Sequence, residues 1–95
     1  MAIFFGTLIV ELEITDSLTL KDKRHVVKSM LDRIRGRFNV AAAEVEQLNS
    51  VRHATLAVAA VGNERGFVHE ILSKVQEAMD NDPRTLVLDF QTEVS

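Results

Sequence analysis

Hydrophobic and polar residues alternate near the start of the chain, with the period of two that is typical of a β-strand buried on one face. Within residues 3–14, every second position from Leu8 to Ile14 is aliphatic, whereas Glu11 and Glu13 fall on the opposite face. The pattern therefore predicts a first strand. Three further strands are predicted at residues 38–46, 51–61 and 85–94.

In two of these strands, the pattern also predicts the position in the sheet or the face that contacts the helices. Residues 51–61 are apolar on both faces towards their end, which is typical of a strand at the centre of a sheet. In residues 85–94, alternation places Leu86, Leu88 and Phe90 on the face expected to contact the helices. The open side of the sheet is then predicted to carry Glu11, Glu13, Asp89, Gln91 and Glu93, together with Ile9, Ala57, Ala59, Val61 and Val87.

Two other segments repeat apolar residues at steps of three and four, which is typical of amphipathic helices. Thr19 followed by Asp22 predicts a capping box at the start of the first helix, and Gly36 predicts a left-handed stop at its end. Asn63 is predicted to cap the second helix, and Pro83 ends it. The predicted buried stripes are Val27, Met30, Leu31, Ile34 and Phe38, and then Phe67, Val68, Ile71, Leu72, Val75 and Met79.

The order of elements is β-α-β-β-α-β. Two right-handed crossovers in this order give an α+β ferredoxin-like plait, in which both helices cover one face of a four-stranded antiparallel sheet. Strands 1 and 3 are expected at the centre, and strands 2 and 4 at the edges. Residues 1–95 are predicted to form a single domain.

Composition bears on the cellular compartment of the protein and on whether it has a membrane segment. The chain has no cysteine, which excludes disulfides and thiolate sites and is consistent with a reducing compartment. The first ten residues lack the basic region and cleavage site of a signal peptide. No apolar run approaches the roughly 20 residues that span a membrane. We therefore expect a cytoplasmic protein with no membrane segment.

Three stretches, "TLKDKR", "VVKSMLDRIRGRFNVAAAEVE" and "AVAAVGNE", resemble the YlxP-like family of small bacterial proteins. The most specific part is the entry to the first helix at Leu20, Lys21, Lys23 and Arg24, followed by residues 37–40 at its exit. Thr19 stands where the family usually has Ser, and it caps equally well. The resemblance implies the plait and genes located beside translation and ribosome-maturation factors. It implies no known reaction, cofactor or catalytic residue.

Positive charge is concentrated in the first helix of an otherwise acidic chain. The formal net charge is −3, yet residues 21–37 carry +5 and the remainder −8. Lys23 lies close to the apolar stripe, where we expect its stem to cover the core. On a wheel of about 100° per residue, Lys21, Arg24, Lys28 and Arg35 form one stripe, and Arg33 and Arg37 lie on the other flank.

Basic side chains spaced in this way repel one another in an isolated helix, so either an anionic partner neutralises them or the stripe is only a solvated helix face. The counter-charge of such a partner is either phosphate, from RNA or a ribosomal particle contacted through its phosphates, or the carboxylates of another protein, and we take RNA or a ribosomal particle as the first hypothesis. Base stacking on the open sheet, as in RNA-recognition motifs, is not expected because residues 51–61 contain no aromatic side chain. The predicted nucleic-acid-binding residues are Lys21, Arg24, Lys28, Arg35, Arg33 and Arg37.

Two other functions stay open. The small apolar side chains on the open sheet favour a protein interface, with a homodimer through a sheet face or edge as one form of it. A small anion bound at a helix end, as in a regulatory domain, is the other. The pattern brings together no nucleophile, base and orienting group, and the histidines lack metal-ligand spacing. We therefore expect no enzymatic activity, cofactor or metal site.

Overall fold

The chain folds into four β-strands and two α-helices in the predicted order. The computed structural model describes all residues from 1 to 95. The elements are β1 (Phe4–Ile14), α1 (Leu20–Arg37), β2 (Ala41–Glu46), β3 (His53–Gly62), α2 (Arg65–Asp80) and β4 (Thr85–Val94). The bounds of β4 match the prediction, whereas β2 starts three residues later than expected.

The strands form one antiparallel sheet in the order β2-β3-β1-β4, so that β1 and β3 are central. These two strands pair continuously, from Phe4 opposite Gly62 to Glu13 opposite His53. Alternate residues of the sheet and one stripe of each helix form a shared hydrophobic core. This architecture confirms the predicted α+β ferredoxin-like plait.

Sixteen hydrophobic side chains are buried in this core. They are Leu8, Val10, Leu12 and Ile14 from β1, Val27, Met30, Leu31 and Ile34 from α1, Ala54, Leu56, Val58 and Ala60 from β3, and Val68, Leu72, Val75 and Met79 from α2. Phe38 and Ile71 are only partly buried, and Phe67 is 50% exposed. The predicted stripes are therefore correct at their centres and too wide at their margins.

Helix α1 begins with the predicted capping box but ends differently from the prediction. The Thr19 hydroxyl accepts a hydrogen bond from the backbone N–H of Asp22 at 3.1 Å, and the Asp22 carboxylate accepts one from the backbone N–H of Thr19 at 3.2 Å. Gly36 is not a left-handed stop, because the helix continues to Arg37 and no glycine has a positive φ. The chain leaves through the extended residue Phe38 directly towards β2, so no left-handed turn is required.

The start of α2 also differs from the prediction. The capping position is occupied by Glu64, whose side chain makes no capping hydrogen bond, so Asn63 is not the cap.

A β-bulge changes the predicted faces of β4. Asp89 pairs with Glu11, but the next residue of β1, Leu12, pairs with Val87, which leaves Leu88 as an extra residue. Beyond the bulge, Val87 faces the helices and Leu86 faces the open side, opposite to the prediction. Phe90 stays on the helix side, opposite Val10. The three large side chains Leu86, Leu88 and Phe90 remain about half exposed, at 52%, 52% and 47%.

Two glycines on different elements test this packing. A Cβ atom on the buried Gly6 of β1 would lie 2.5 Å from Val68 Cγ1 and 2.7 Å from Leu72 Cδ1, whereas one on Gly36 would contact nothing within 4 Å. Gly6→Ala is therefore expected to lower the free energy of unfolding by about 1–3 kcal/mol through overpacking. Gly36→Ala is expected to raise it by up to about 1 kcal/mol through helix propensity. Urea denaturation of both variants measures the difference, and equal effects would contradict this description of the α2–sheet contact.

Candidate interaction surfaces

The two helices leave the other side of the sheet uncovered, and we name this side the open face. Directly paired residues of antiparallel strands point to the same side, so the register sorts its residues into rows across the sheet. The apolar rows are Phe5–Val61, Ala41–Ala59–Thr7–Glu93 and Ala43–Ala57–Ile9–Gln91. The acidic rows are Glu46–Thr55–Glu11–Asp89 and His53–Glu13–Leu86.

The apolar rows form a shallow surface of small side chains with two large ones at its end. Phe5 and Val61 lie directly opposite each other and are 61% and 56% exposed. Beside them is an open depression of about 220 Å³, lined mainly by Thr7, Ile9 and alanines of β2 and β3. The prediction that Ile9, Ala57, Ala59 and Val61 share the open side is confirmed by the register. The only charged residue in these rows is Glu93, at the β4 edge.

The acidic rows hold four carboxylates, as the alternation predicted for Glu11, Glu13 and Asp89. The Glu11 carboxylate accepts hydrogen bonds from the Thr55 hydroxyl at 2.7 Å and from the Gln47 amide at 3.0 Å. Glu13 lies 3.6 Å from His53 Nε2. No three His, Asp or Glu side chains come together in a metal-binding group. The four carboxylates make this end of the open face negative, and Glu11 also acts as a hydrogen-bond acceptor.

On α1, the predicted basic stripe is partly neutralised by the protein itself. Lys28 and Arg35 both bind Asp32, at 2.8 Å and 2.9 Å, and these hydrogen bonds lower the pKa of Asp32. Lys21 and Arg24 have no carboxylate within 4.0 Å. The stripe thus contains two unpaired cations in its first turns and a paired group farther along.

Arg35 has a second contact that ties the helix to the sheet. Its guanidinium donates a hydrogen bond to the backbone carbonyl of Ala42 at 2.8 Å. Since β2 is an edge strand, this contact supplies a donor to a backbone group at the border of the sheet. Arg35 therefore stabilises the fold and is less available to an external anion.

The two basic residues on the other flank are also engaged. Arg33 lies 3.6 Å from the carboxylate of Asp82, and the guanidinium of Arg37 lies 5.2 Å from the ring centroid of Phe38. Asp82 is buried and accepts hydrogen bonds from the side chain and backbone N–H of Arg84, which lower its pKa. Arg33 thus joins the cluster that holds the α2–β4 turn against α1.

The hydrophobic pattern predicts only the position of the Lys23 stem, and the structure adds the role of the ammonium group. The side chain is fully buried, and Nζ donates hydrogen bonds to Glu44 at 2.5 Å and to the carbonyls of Gln47 and Leu48 at 3.0 Å and 3.4 Å. One sequence signal points to this role: Lys23 stands four residues before Val27, on the buried stripe, where a lysine requires an internal partner. The partners of its ammonium group lie more than 20 residues away along the chain, so they could not be predicted from the local pattern.

Gln47 connects this buried charge to the open face. It has a positive φ of 60°, which turns its carbonyl towards Lys23 while its side-chain amide reaches Glu11 and Thr55. The β2–β3 hairpin is therefore fixed from both sides of the sheet.

Replacement of Lys23 tests this connection. Lys23→Met keeps the length of the side chain but leaves Glu44 without its partner, so we expect the free energy of unfolding to fall by about 3–5 kcal/mol. The matched control Lys21→Met, at an exposed position of the same turn, should change it by no more than about 0.5 kcal/mol. The double variant Lys23→Met/Glu44→Leu should be closer to the parent than Lys23→Met, because no buried charge remains unpaired. Urea denaturation measures all three, and equal losses for Lys21→Met and Lys23→Met would contradict the assignment.

Comparisons with known proteins agree with this fold and give no activity. A family described as "Protein of unknown function (DUF503)" matches residues 5–92. The uncharacterized protein YlxP of Bacillus subtilis (strain 168) is 32% identical over 70 residues, which cover 74% of this chain and 76% of that protein.

A solved structure shows the same fold. It is a dimeric ferredoxin-like protein of unknown function from Thermobifida fusca YX, with a TM-score of 0.52 and 14% identity, covering 100% of this chain and 92% of that one. In the present protein, neither helix is long and apolar enough to cross a membrane. The resemblance to YlxP-like proteins is confirmed, and the chain belongs to the DUF503 family of proteins of unknown function.

Proposed function

We propose that this protein is a non-catalytic binding protein that self-associates through the apolar rows of its open face. The observation that carries the proposal is the exposed Phe5–Val61 pair beside a trough of alanines, on the side of the sheet that no helix covers. Contiguous exposed apolar surface of this kind marks a site of association.

Burial of these side chains supplies the driving force. A fully buried Phe or Val side chain contributes about 1.5–3 kcal/mol relative to an exposed one, and Phe5 and Val61 are each more than half exposed. The alanines at positions 41, 43, 57 and 59 present no bulk above the sheet, so a second layer is able to approach closely.

The size of the surface indicates a weak association. The three rows hold ten residues, since the row Phe5–Val61 spans two strands and the other two rows span four, and they cover about 320 Å² per copy from a strand spacing of about 4.8 Å and a rise of about 3.3 Å per residue. The total of about 640 Å² falls below the usual 1,200–2,000 Å² of stable interfaces. We therefore expect a dimer that dissociates on dilution. The dimeric state of the ferredoxin-like protein from Thermobifida fusca supports association in this fold.

Sedimentation velocity over a wide range of protein concentration tests the proposal. The parent protein should shift from monomer to dimer as concentration rises, and Phe5→Glu should raise the dissociation constant by about tenfold or more, equivalent to about 1.4 kcal/mol. Leu18→Glu is the matched control, since Leu18 is also an exposed apolar residue, at 82%, but lies outside the apolar rows. A monomer at every concentration, or equal effects of the two variants, would overturn the proposal.

A second candidate function is binding of RNA phosphates by α1, and the observation that favours it is that neither Lys21 nor Arg24 forms an ion pair within 4.0 Å. Lys28 adds to them because its side chain is 77% exposed despite the contact with Asp32. Of the six residues predicted for this role, these three are the best placed. Arg35, Arg33 and Arg37 hold internal contacts and would contribute less.

Binding to purified ribosomal subunits and to ribosomal RNA, measured at several salt concentrations, tests this candidate. With three or four neutralised phosphates, log K should fall with log[salt] with a slope of about −2 to −3. Lys21→Glu/Arg24→Glu should abolish most of the salt-dependent binding, whereas the control Arg65→Glu/Lys74→Glu changes the net charge equally on α2. If the two double variants bind alike, α1 is not the RNA-binding surface.

A further inference from the structure

If two copies associate through the open face, as proposed above, side-chain size and charge favour one relative orientation of the two sheets. The inference that follows rests on that proposed self-association. We infer that the two sheets stack with their strands antiparallel, about a two-fold axis that follows the row Ala41–Ala59–Thr7–Glu93. In a two-fold interface the same surface must be complementary to itself. The distribution of size and charge along the strands meets this condition for only one direction.

Side-chain size is complementary in this orientation. Rotation about the middle row places the outer row Phe5–Val61 over the row that contains Ile9, Ala57 and Ala43 of the second copy. Val61 then lies over Ala57, and the small residues Thr7 and Ala59 meet their own copies at the axis. Phe5 lies over Ile9 of the second copy, the one large side chain of that row, and the alanines on either side of this contact let the sheets approach to about 10 Å.

Charge excludes the other simple orientation. A two-fold axis parallel to the strands would place acidic rows over acidic rows, so that Glu11, Glu13, Glu46 and Asp89 of both copies would face each other across about 10 Å. Like charges in such an arrangement repel, and more strongly once water is excluded. In the antiparallel stack the acidic rows lie outside the overlap, at opposite ends of the dimer.

One like-charged contact remains in the antiparallel stack and provides a signature. Glu93 lies at the β4 edge of the axial row, so the two copies of Glu93 come together. Glu93→Gln is therefore expected to lower the dimer dissociation constant severalfold. Asp89→Asn is the matched control, because it removes one negative charge in an acidic row outside the overlap.

Single cysteines introduced into this cysteine-free chain test the orientation directly. Thr7→Cys and Glu13→Cys place a thiol on the same strand and the same face, and a short bismaleimide is the probe. In the antiparallel stack the two thiols at position 7 are within about 10 Å, whereas those at position 13 are about 40 Å apart, from the rise of about 3.3 Å per residue. Thr7→Cys should therefore crosslink and Glu13→Cys should not, and Ala59→Cys is a second axial position in case Thr7→Cys disturbs the fold.

The outcomes separate this inference from the proposed function. Crosslinking at position 7 but not 13, together with tighter association of Glu93→Gln, supports the antiparallel stack. Equal crosslinking at positions 7 and 13 would overturn the orientation and keep the sheet-face dimer. A dimer by sedimentation that crosslinks at no open-face position would overturn both, and a monomer would overturn the proposed function itself.

Discussion

The buried ion pair between Lys23 and Glu44 holds the helical layer to the β2–β3 hairpin. A lysine that is fully buried is costly unless its ammonium group finds acceptors, and here three oxygens of β2 and the adjoining loop supply them. The contact fixes the position of Gln47, whose amide then orders Glu11 and Thr55 on the opposite side of the sheet. One side chain thereby sets the relation between α1, the hairpin and the acidic end of the open face.

The other basic residues of α1 divide into those that make contacts within the protein and those that are free to bind an anion. Lys28 and Arg35 share Asp32, Arg33 joins the cluster around Asp82, and Arg35 also binds the edge strand. Lys21, Arg24 and Arg37 have neither a carboxylate within 4.0 Å nor a side-chain hydrogen bond, and of these Arg37 still contacts the ring of Phe38, which leaves Lys21 and Arg24 in the first turns of the helix. A run of basic residues that suggests one binding surface is thus divided between stabilising contacts and a small exposed group.

Strand register determines how apolar and acidic residues are distributed over the open face. Pairing of β3 with β1 and β2 aligns alanines into rows, and the register of the four strands gathers four carboxylates at the other end of the sheet. The bulge in β4 moves Leu86 and Val87 to sides opposite to those that uninterrupted alternation would give them. The result is a sheet surface that is apolar at one end and acidic at the other, a polarity that gives direction to any association through it.

The sequence alone determined the order of the elements, the plait, the centres of the buried stripes, and the capping box at Thr19 and Asp22. These features depend on spacing within one element, where periodicity and local hydrogen bonds carry the information. Only the tertiary structure decided that Lys23 binds Glu44, that Arg35 binds the carbonyl of Ala42, and that β4 contains a bulge. Such features depend on which residues from distant parts of the chain meet, and a one-residue shift of register is enough to reverse the faces of a strand.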